Sequence, residues 1–174
     1  MPEERLSSEQ VFTGKLIGVR VDRVRTDSGR ETTREVVEHP GAVAILPVLD
    51  DGRVLLVRQY RYAVGRELLE VPAGTREPGE EPQVTAAREL REEVGFDANR
   101  IDEMFVYYIS PGWCNERLFG YRATGLTEVG AQPDQDENIE IVPIDPNDAP
   151  ALIAQGQIAD AKTIALLYAH LRDA

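Results

Sequence analysis

The chain has 174 residues, enough for one domain with a buried core, and its formal net charge of −12 with a pI near 4.6 argues against a nucleic-acid backbone as its main partner. A single cysteine, Cys114, excludes an internal disulfide and suits a reducing cytoplasm. The opening Met-Pro-Glu-Glu-Arg has no apolar core for a signal peptide, and the apolar runs at 42–49 and 164–169 are too short to span a bilayer, so a soluble cytoplasmic protein with no membrane partner is expected.

Residues 15–25, KLIGVRVDRVR, place Ile17, Val19 and Val21 on one side of a strand by alternation. Asp27, Ser28 and Gly29 supply turn chemistry and residues 32–38 return as a second strand, so residues 1–39 predict a small β-hairpin subdomain. Pro40 and Gly41 break the chain before the apolar run at 42–49. Residues 50–52 turn, residues 54–60 pair back, and residues 67–71 form a short strand leading into a glycine-bearing loop. A helix is predicted from Pro82, suited to a first turn, to Gly95, suited to the position just past a C-terminus. Residues 104–108 and 118–123 read as strands around a loop at 110–116, and an acidic loop at 131–138 precedes a strand at 139–144. Asn147 reads as the cap of a helix to Gln155, and Asp160 as the start of a last helix with Ile164, Leu167, Tyr168 and Leu171 at helical spacing.

The most informative stretch is residues 74–96, which reads G-x5-E-x7-R-E-L-x-E-E-x-G-F. Helical residues turn by roughly 100° each, so with Glu89 at zero, Glu92 falls near −60° and Glu93 near +40°. Three carboxylates then share one arc, with Ala87, Leu90 and Val94 on the face that can bury. Like charges so close raise one another's pKa and weaken the helix unless a cation sits among them. Arg88, four before Glu92, can neutralise one, and the others want a metal. An acidic helix face is ordinarily only solvated. Here nine positions are fixed over 23 residues, Gly74 and Gly95 included, and chance agreement is remote.

At those nine positions the chain resembles the Nudix hydrolases, which cleave a nucleoside diphosphate linked to another moiety with Mg2+ or Mn2+ held by the carboxylates of this box. Pro111, sixteen residues after Gly95 within Ser110-Pro111-Gly112, resembles the ADP-ribose pyrophosphatase branch. So do the runs REVVEHPGAVAILPVL, RQYRYAVGRELLEVPAG and SPGWCNERL between residues 34 and 118. The resemblance implies an α/β fold: a Nudix-type α/β/α sandwich with a mixed sheet at residues 40–174, behind a small N-terminal β subdomain at residues 1–39. It further implies a homodimer that exchanges N-terminal subdomains.

Carried over position by position, the resemblance assigns metal to Glu89, Glu93 and the carbonyl of Ala73, with Glu137 of the acidic loop as a further ligand. Glu92 shares that site or pairs with Arg88; with Glu137 these two are the catalytic candidates. Arg34, Arg61 and Pro111 match substrate-contacting positions, and the fixed fork of Arg61 fits a diphosphate. A solvated strand arginine is the competing reading for Arg61. Glu70 and Glu116 are candidates for ribose hydroxyls, against surface ion pairs. Gln135 stands where some relatives carry a glutamate that activates water, and an amide cannot take up that proton. Asp136, Glu137 and Glu140 remain candidates for the base, Glu137 first. Several relatives stack adenine on an aromatic ring of the N-terminal subdomain, yet residues 16–21 contain none; Arg34 is the substitute.

The resulting expectation is metal-dependent hydrolysis of ADP-ribose to AMP and ribose 5-phosphate. Hydrolysis of another nucleoside diphosphate sugar is the alternative, and a sensor that binds ADP-ribose without turnover is a third reading.

Overall fold

A computed structural model of the protein describes residues 3–130 and 139–173, and its strands fall into three sheets. Two compact units divide the chain: Met1–Gly41 with Tyr107–Arg117, and Ala42–Val106 with Leu118–Ala174.

The first unit is built on an antiparallel meander of β1 (Glu4–Thr13), β2 (Gly18–Arg25) and β3 (Glu31–Glu38). The predicted hairpin is its β2–β3 half. The segment ERLSSEQVFT of β1 shows no apolar alternation, and the strand is exposed nearly throughout, so no periodicity marked it. On β2 the deeper face is also not the predicted one. Ile17, Val19 and Val21 are half-buried, whereas Val24 and Asp22 are buried, Asp22 held by an ion pair with Arg20. Within the same unit, the loop at 110–116 is tied to β3: Val37 N–H donates to the Trp113 carbonyl (2.8 Å) and Asn115 N–H to the Val37 carbonyl (3.1 Å).

The second unit carries a sheet ordered β7-β4-β9-β8: β4 (Ala42–Pro47) lies antiparallel to β7 (Ala73–Thr75) and parallel to β9 (Arg117–Glu128), with β8 (Phe96–Tyr108) at the edge. A central strand covered on both faces reads as a continuous apolar run, which AVAILP is. Val43 and Ile45 of β4, with Phe119, Tyr121 and Ala123 of β9, pack with Ala86 of helix α1 (Pro82–Glu89) and with Leu90 and Val94. On the other face of β9, a Cβ at Gly120 would press within 3.2 Å of Leu166 on helix α3 (Ala161–Asp173). The sheet therefore has a helix on each face, as the expected α/β/α sandwich requires. A smaller antiparallel sheet orders β10 (Glu140–Ile144), β5 (Val54–Arg61) and β6 (Arg66–Glu70), and α2 (Ala149–Ala154) precedes α3.

Several local expectations differ from the structure. The box helix is not one α-helix to Gly95: Leu90–Val94 form a π-type turn, closed where Gly95 N–H reaches the carbonyls of Leu90 and Arg91 and Gly95 takes a left-handed φ of 77°. Ala87 faces solvent, and Ala86 takes the buried place assigned to it. The turn before α2 is capped by Asp145, whose carboxylate accepts from Asn147 N–H, rather than by Asn147. On α3 the buried positions are Thr163, Leu166 and Leu167, while Tyr168 is exposed, which rotates the predicted face by about one residue.

Candidate active site

Strand β6 ends in the buried residues Leu68, Leu69 and Glu70, and the chain passes through buried Val71 and Pro72 into β7. Two bonds fix this passage. Ile45 N–H donates to the Pro72 carbonyl (2.9 Å), and Val71 N–H donates to the Thr163 hydroxyl on α3 (2.9 Å). The next residue, Ala73, donates its N–H to Glu93 Oε2 (3.0 Å), so a box carboxylate is docked on the backbone that carries the candidate carbonyl ligand. Gly74 follows, and any Cβ there would overlap the carboxylate of Glu89. The first fixed position of the box is thus a glycine because Glu89 lies against it. Glu89 is 8% exposed and Glu93 4%, so these two face the protein and not bulk water.

Arg88 gathers the box charges. Its Nη1 donates to Glu89 Oε1 and to Glu92 Oε2 (both 2.8 Å), and its Nε to Glu80 Oε1 (3.2 Å). Arg88 thus contacts three carboxylates, while its single positive charge balances one of them, as expected. Bonding from Arg88 holds the Glu80 carboxyl well below the ordinary carboxylate range, at about 2 against the opposing effect of burial, with help from the Glu77 backbone N–H. For Arg88 itself burial opposes the charge, but Glu80, Glu89 and Glu92 outweigh it and raise its pKa further. The unfavourable clustering read from the sequence is met in part by Arg88, one positive charge beside three of the box carboxylates.

Arg61, at the end of β5, forms a forked pair with Glu70: Nη2 to Oε2 at 2.7 Å and Nε to Oε1 at 3.1 Å. Lys162 Nζ, from α3, reaches the same Oε2 at 2.6 Å. Glu70 is 1% exposed. Burial alone would push its pKa up; Arg61 and Lys162 hold it below the usual value. The competing reading of Glu70 as a surface ion pair does not hold: it is a buried anion between two cations.

The remaining candidates are distributed otherwise. Arg34 and Pro111 lie in the first unit, where they line a cavity of about 470 Å³ together with Tyr108 and Trp113; Arg34 also pairs with Glu3. Glu116, in the same unit, sits 3.8 Å from His39 Nδ1. That nitrogen also accepts a bond from Gly41 N–H (3.1 Å). Glu140 is on β10, paired with Arg58 at 3.1 Å. Glu137, with Gln135 and Asp136, lies outside the described residues.

Sequence reasoning left Glu80, Lys162, Thr163 and Trp113 without a role. Glu80 was signalled, being a fixed position of the box. Lys162 and Thr163 were not, because each meets its partner 92 residues away.

Among the described residues no three or more His, Cys, Asp or Glu side chains form a group arranged to hold a metal ion. Two buried carboxylates beside a strand carbonyl nevertheless suit Mg2+ in kind, since that ion binds through one or two carboxylates and completes its shell with water and substrate phosphates.

A NUDIX domain model matches residues 38–167, and a model described as a nucleoside diphosphate sugar hydrolase N-terminal domain matches residues 3–37. The ADP-ribose pyrophosphatase of Bacillus subtilis is 38% identical over 177 residues, covering 100% of this chain and 96% of its own length. The ADP-ribose pyrophosphatase of Mycobacterium tuberculosis is 42% identical over 167 residues, covering 93% and 80%. In fold, the chain resembles the crystal structure of an ADP compounds hydrolase with a TM-score of 0.88, at 24% identity over 99% of this chain and 94% of that one.

Proposed function

Because this chain belongs to the Nudix family, we propose that it hydrolyses the diphosphate of ADP-ribose to AMP and ribose 5-phosphate. The observation that carries the reading is the box itself, unbroken in sequence and gathered around Ala73 and Gly74, in a chain whose full length aligns with an ADP-ribose pyrophosphatase. Water adds to one phosphorus in line with the bridging oxygen; the bond from that phosphorus to the bridge breaks, and the water proton leaves to a base. Positioning and charge stabilisation carry most of such a step. A divalent ion, Mg2+ or Mn2+, would be held by Glu89, Glu93 and the Ala73 carbonyl with Glu137 as a further ligand, and would neutralise the diphosphate and acidify water.

The chain's own groups do the rest. Arg61, whose side chain is 37% exposed and whose Nη1 makes no hydrogen bond among the described residues, binds the diphosphate. Arg88 holds Glu89 and Glu92 in place from one side. Glu137 orients or deprotonates the water. In the N-terminal unit, Arg34 and Pro111 contact the nucleoside, and the exposed ring of Trp113 offers the aromatic stacking surface that residues 16–21 lack. Glu116 stays a candidate for a ribose hydroxyl. A homodimer and a reducing compartment, suited to the unpaired Cys114, complete the reading.

Hydrolysis of a different nucleoside diphosphate sugar is the second reading, favoured by the description of the N-terminal match. Incubating the protein with Mg2+ and a panel of nucleoside diphosphate derivatives, with product release followed by chromatography, decides between them. Release of AMP with the highest kcat/KM from ADP-ribose is expected. A higher value for another sugar selects the second reading, and binding without any product would leave only a sensor.

A further inference from the structure

We propose that Lys162, in the first turn of α3, is a positioning residue that holds the buried charge of Glu70 and so leaves Arg61 free to engage a nucleoside diphosphate. The inference rests on the reading of Arg61 as a diphosphate ligand.

Glu70 meets its two cations unequally. Arg61 has an open side, with 37% of its side chain exposed, whereas the Lys162 side chain is 14% exposed and that of Glu70 is buried. A buried carboxylate that loses its sole cation is strongly destabilised. Were Arg61 that sole cation, turning it toward a phosphate would strip Glu70 of its compensation, and the protein would resist the turn. With Lys162 Nζ at 2.6 Å on Oε2, the carboxylate keeps a cation, shared with Asp160, whichever way Arg61 points.

Lys162 is itself fixed. Its ammonium also donates to Asp160 Oδ1 (2.9 Å), and the same oxygen caps α3 by accepting from Thr163 N–H (3.0 Å). Thr163 in turn accepts from Val71 N–H. The cation is therefore carried on a helix end bolted to the strand that leads to Ala73. A lysine that merely staples α3 to β6 would affect stability alone; a counter-charge for Glu70 affects diphosphate binding, and only while Glu70 is charged.

The test measures KM and kcat for ADP-ribose, and the Kd of α,β-methylene-ADP by calorimetry, both with Mg2+ present. Lys162→Met should raise KM and Kd about tenfold with kcat within about twofold, and Lys162→Arg should restore both. In a Glu70→Gln background the same Lys162→Met change should alter neither by more than about twofold, because the charge of Glu70, the one that competes for Arg61, is gone. Unchanged Kd in Lys162→Met, or an equal loss in the Glu70→Gln background, overturns the proposal. If Lys162→Met does not fold, Lys162→Arg and the comparison of Glu70→Gln with Glu70→Gln/Lys162→Met carry the test, and a difference within that pair overturns it. Arg61→Ala separates the two failures. If it leaves Kd unchanged, the reading of Arg61 fails and the proposal falls with it; if it weakens binding while Lys162→Met does not, the proposal alone fails.

Discussion

At Gly74 the lack of a side chain lets the Glu89 carboxylate lie against the strand, and one residue earlier the Ala73 N–H anchors Glu93. Both carboxylates are thus placed by backbone, and a substitution that keeps shape separates charge from structure. Glu93→Gln retains an oxygen to accept from Ala73, so the fold should survive while one proposed metal ligand loses its charge. We expect kcat to fall on the order of 10²-fold or more, and near-normal turnover at saturating Mg2+ would remove Glu93 from the metal set. Glu80 serves differently, as the partner of Arg88. Its pKa in the folded protein is lowered to about 2, so the stability it contributes is fully present above its unfolded value near 4.3 and is lost as pH falls through that window toward 2. Melting curves of wild type and Glu80→Gln should accordingly lie furthest apart above about pH 5 and converge by about pH 2. A gap that stays constant with pH would mean that the charge of Glu80 contributes nothing.

Elements were legible where their signal was local. The box carboxylates could be grouped on one side of a helical segment from spacing alone, and the apolar run at 42–49 stood out between its breaking Pro40-Gly41 and the turn at 50–52. What failed was what depends on distant chain. The roughly 100° step assumed for residues 89–93 ignored the π-type turn, whose wider winding brings Glu93 in beside Ala73. The face of α3 was misread because Thr163, a polar residue, is fully buried in order to accept from Val71, and no helical periodicity announces such a bond. That bond is testable at the scale of the element it anchors. Thr163→Val keeps the volume and leaves the Val71 N–H buried without its acceptor, so unfolding in urea should show a loss of about 1–3 kcal/mol. A change within error would mean that packing of Leu166 and Leu167, not this bond, seats the helix.

For the molecule as a whole, the apolar surface that the N-terminal unit leaves in water asks for a partner. Val11 and Phe12 on β1 are each 52% exposed, and Leu16, in the link to β2, 54%. Strand β1 is an edge strand whose register slips between Arg5 and Ser7 and again between Gln10 and Phe12, leaving Val11 in the second irregularity. Bulges of this kind disfavour extension of a sheet by another edge. A second copy that covers these residues would therefore do so through side chains, in keeping with the proposed homodimer. Equilibrium sedimentation should show a species of twice the 19.4 kDa chain mass at micromolar concentration. Replacing Val11, Phe12 and Leu16 together by aspartate introduces three charges where apolar area would be buried and should yield a folded monomer. Because those residues are already solvated in the single chain, its circular dichroism spectrum should not change. A wild-type monomer, or a triple variant that still dimerises, would put the interface elsewhere or remove it.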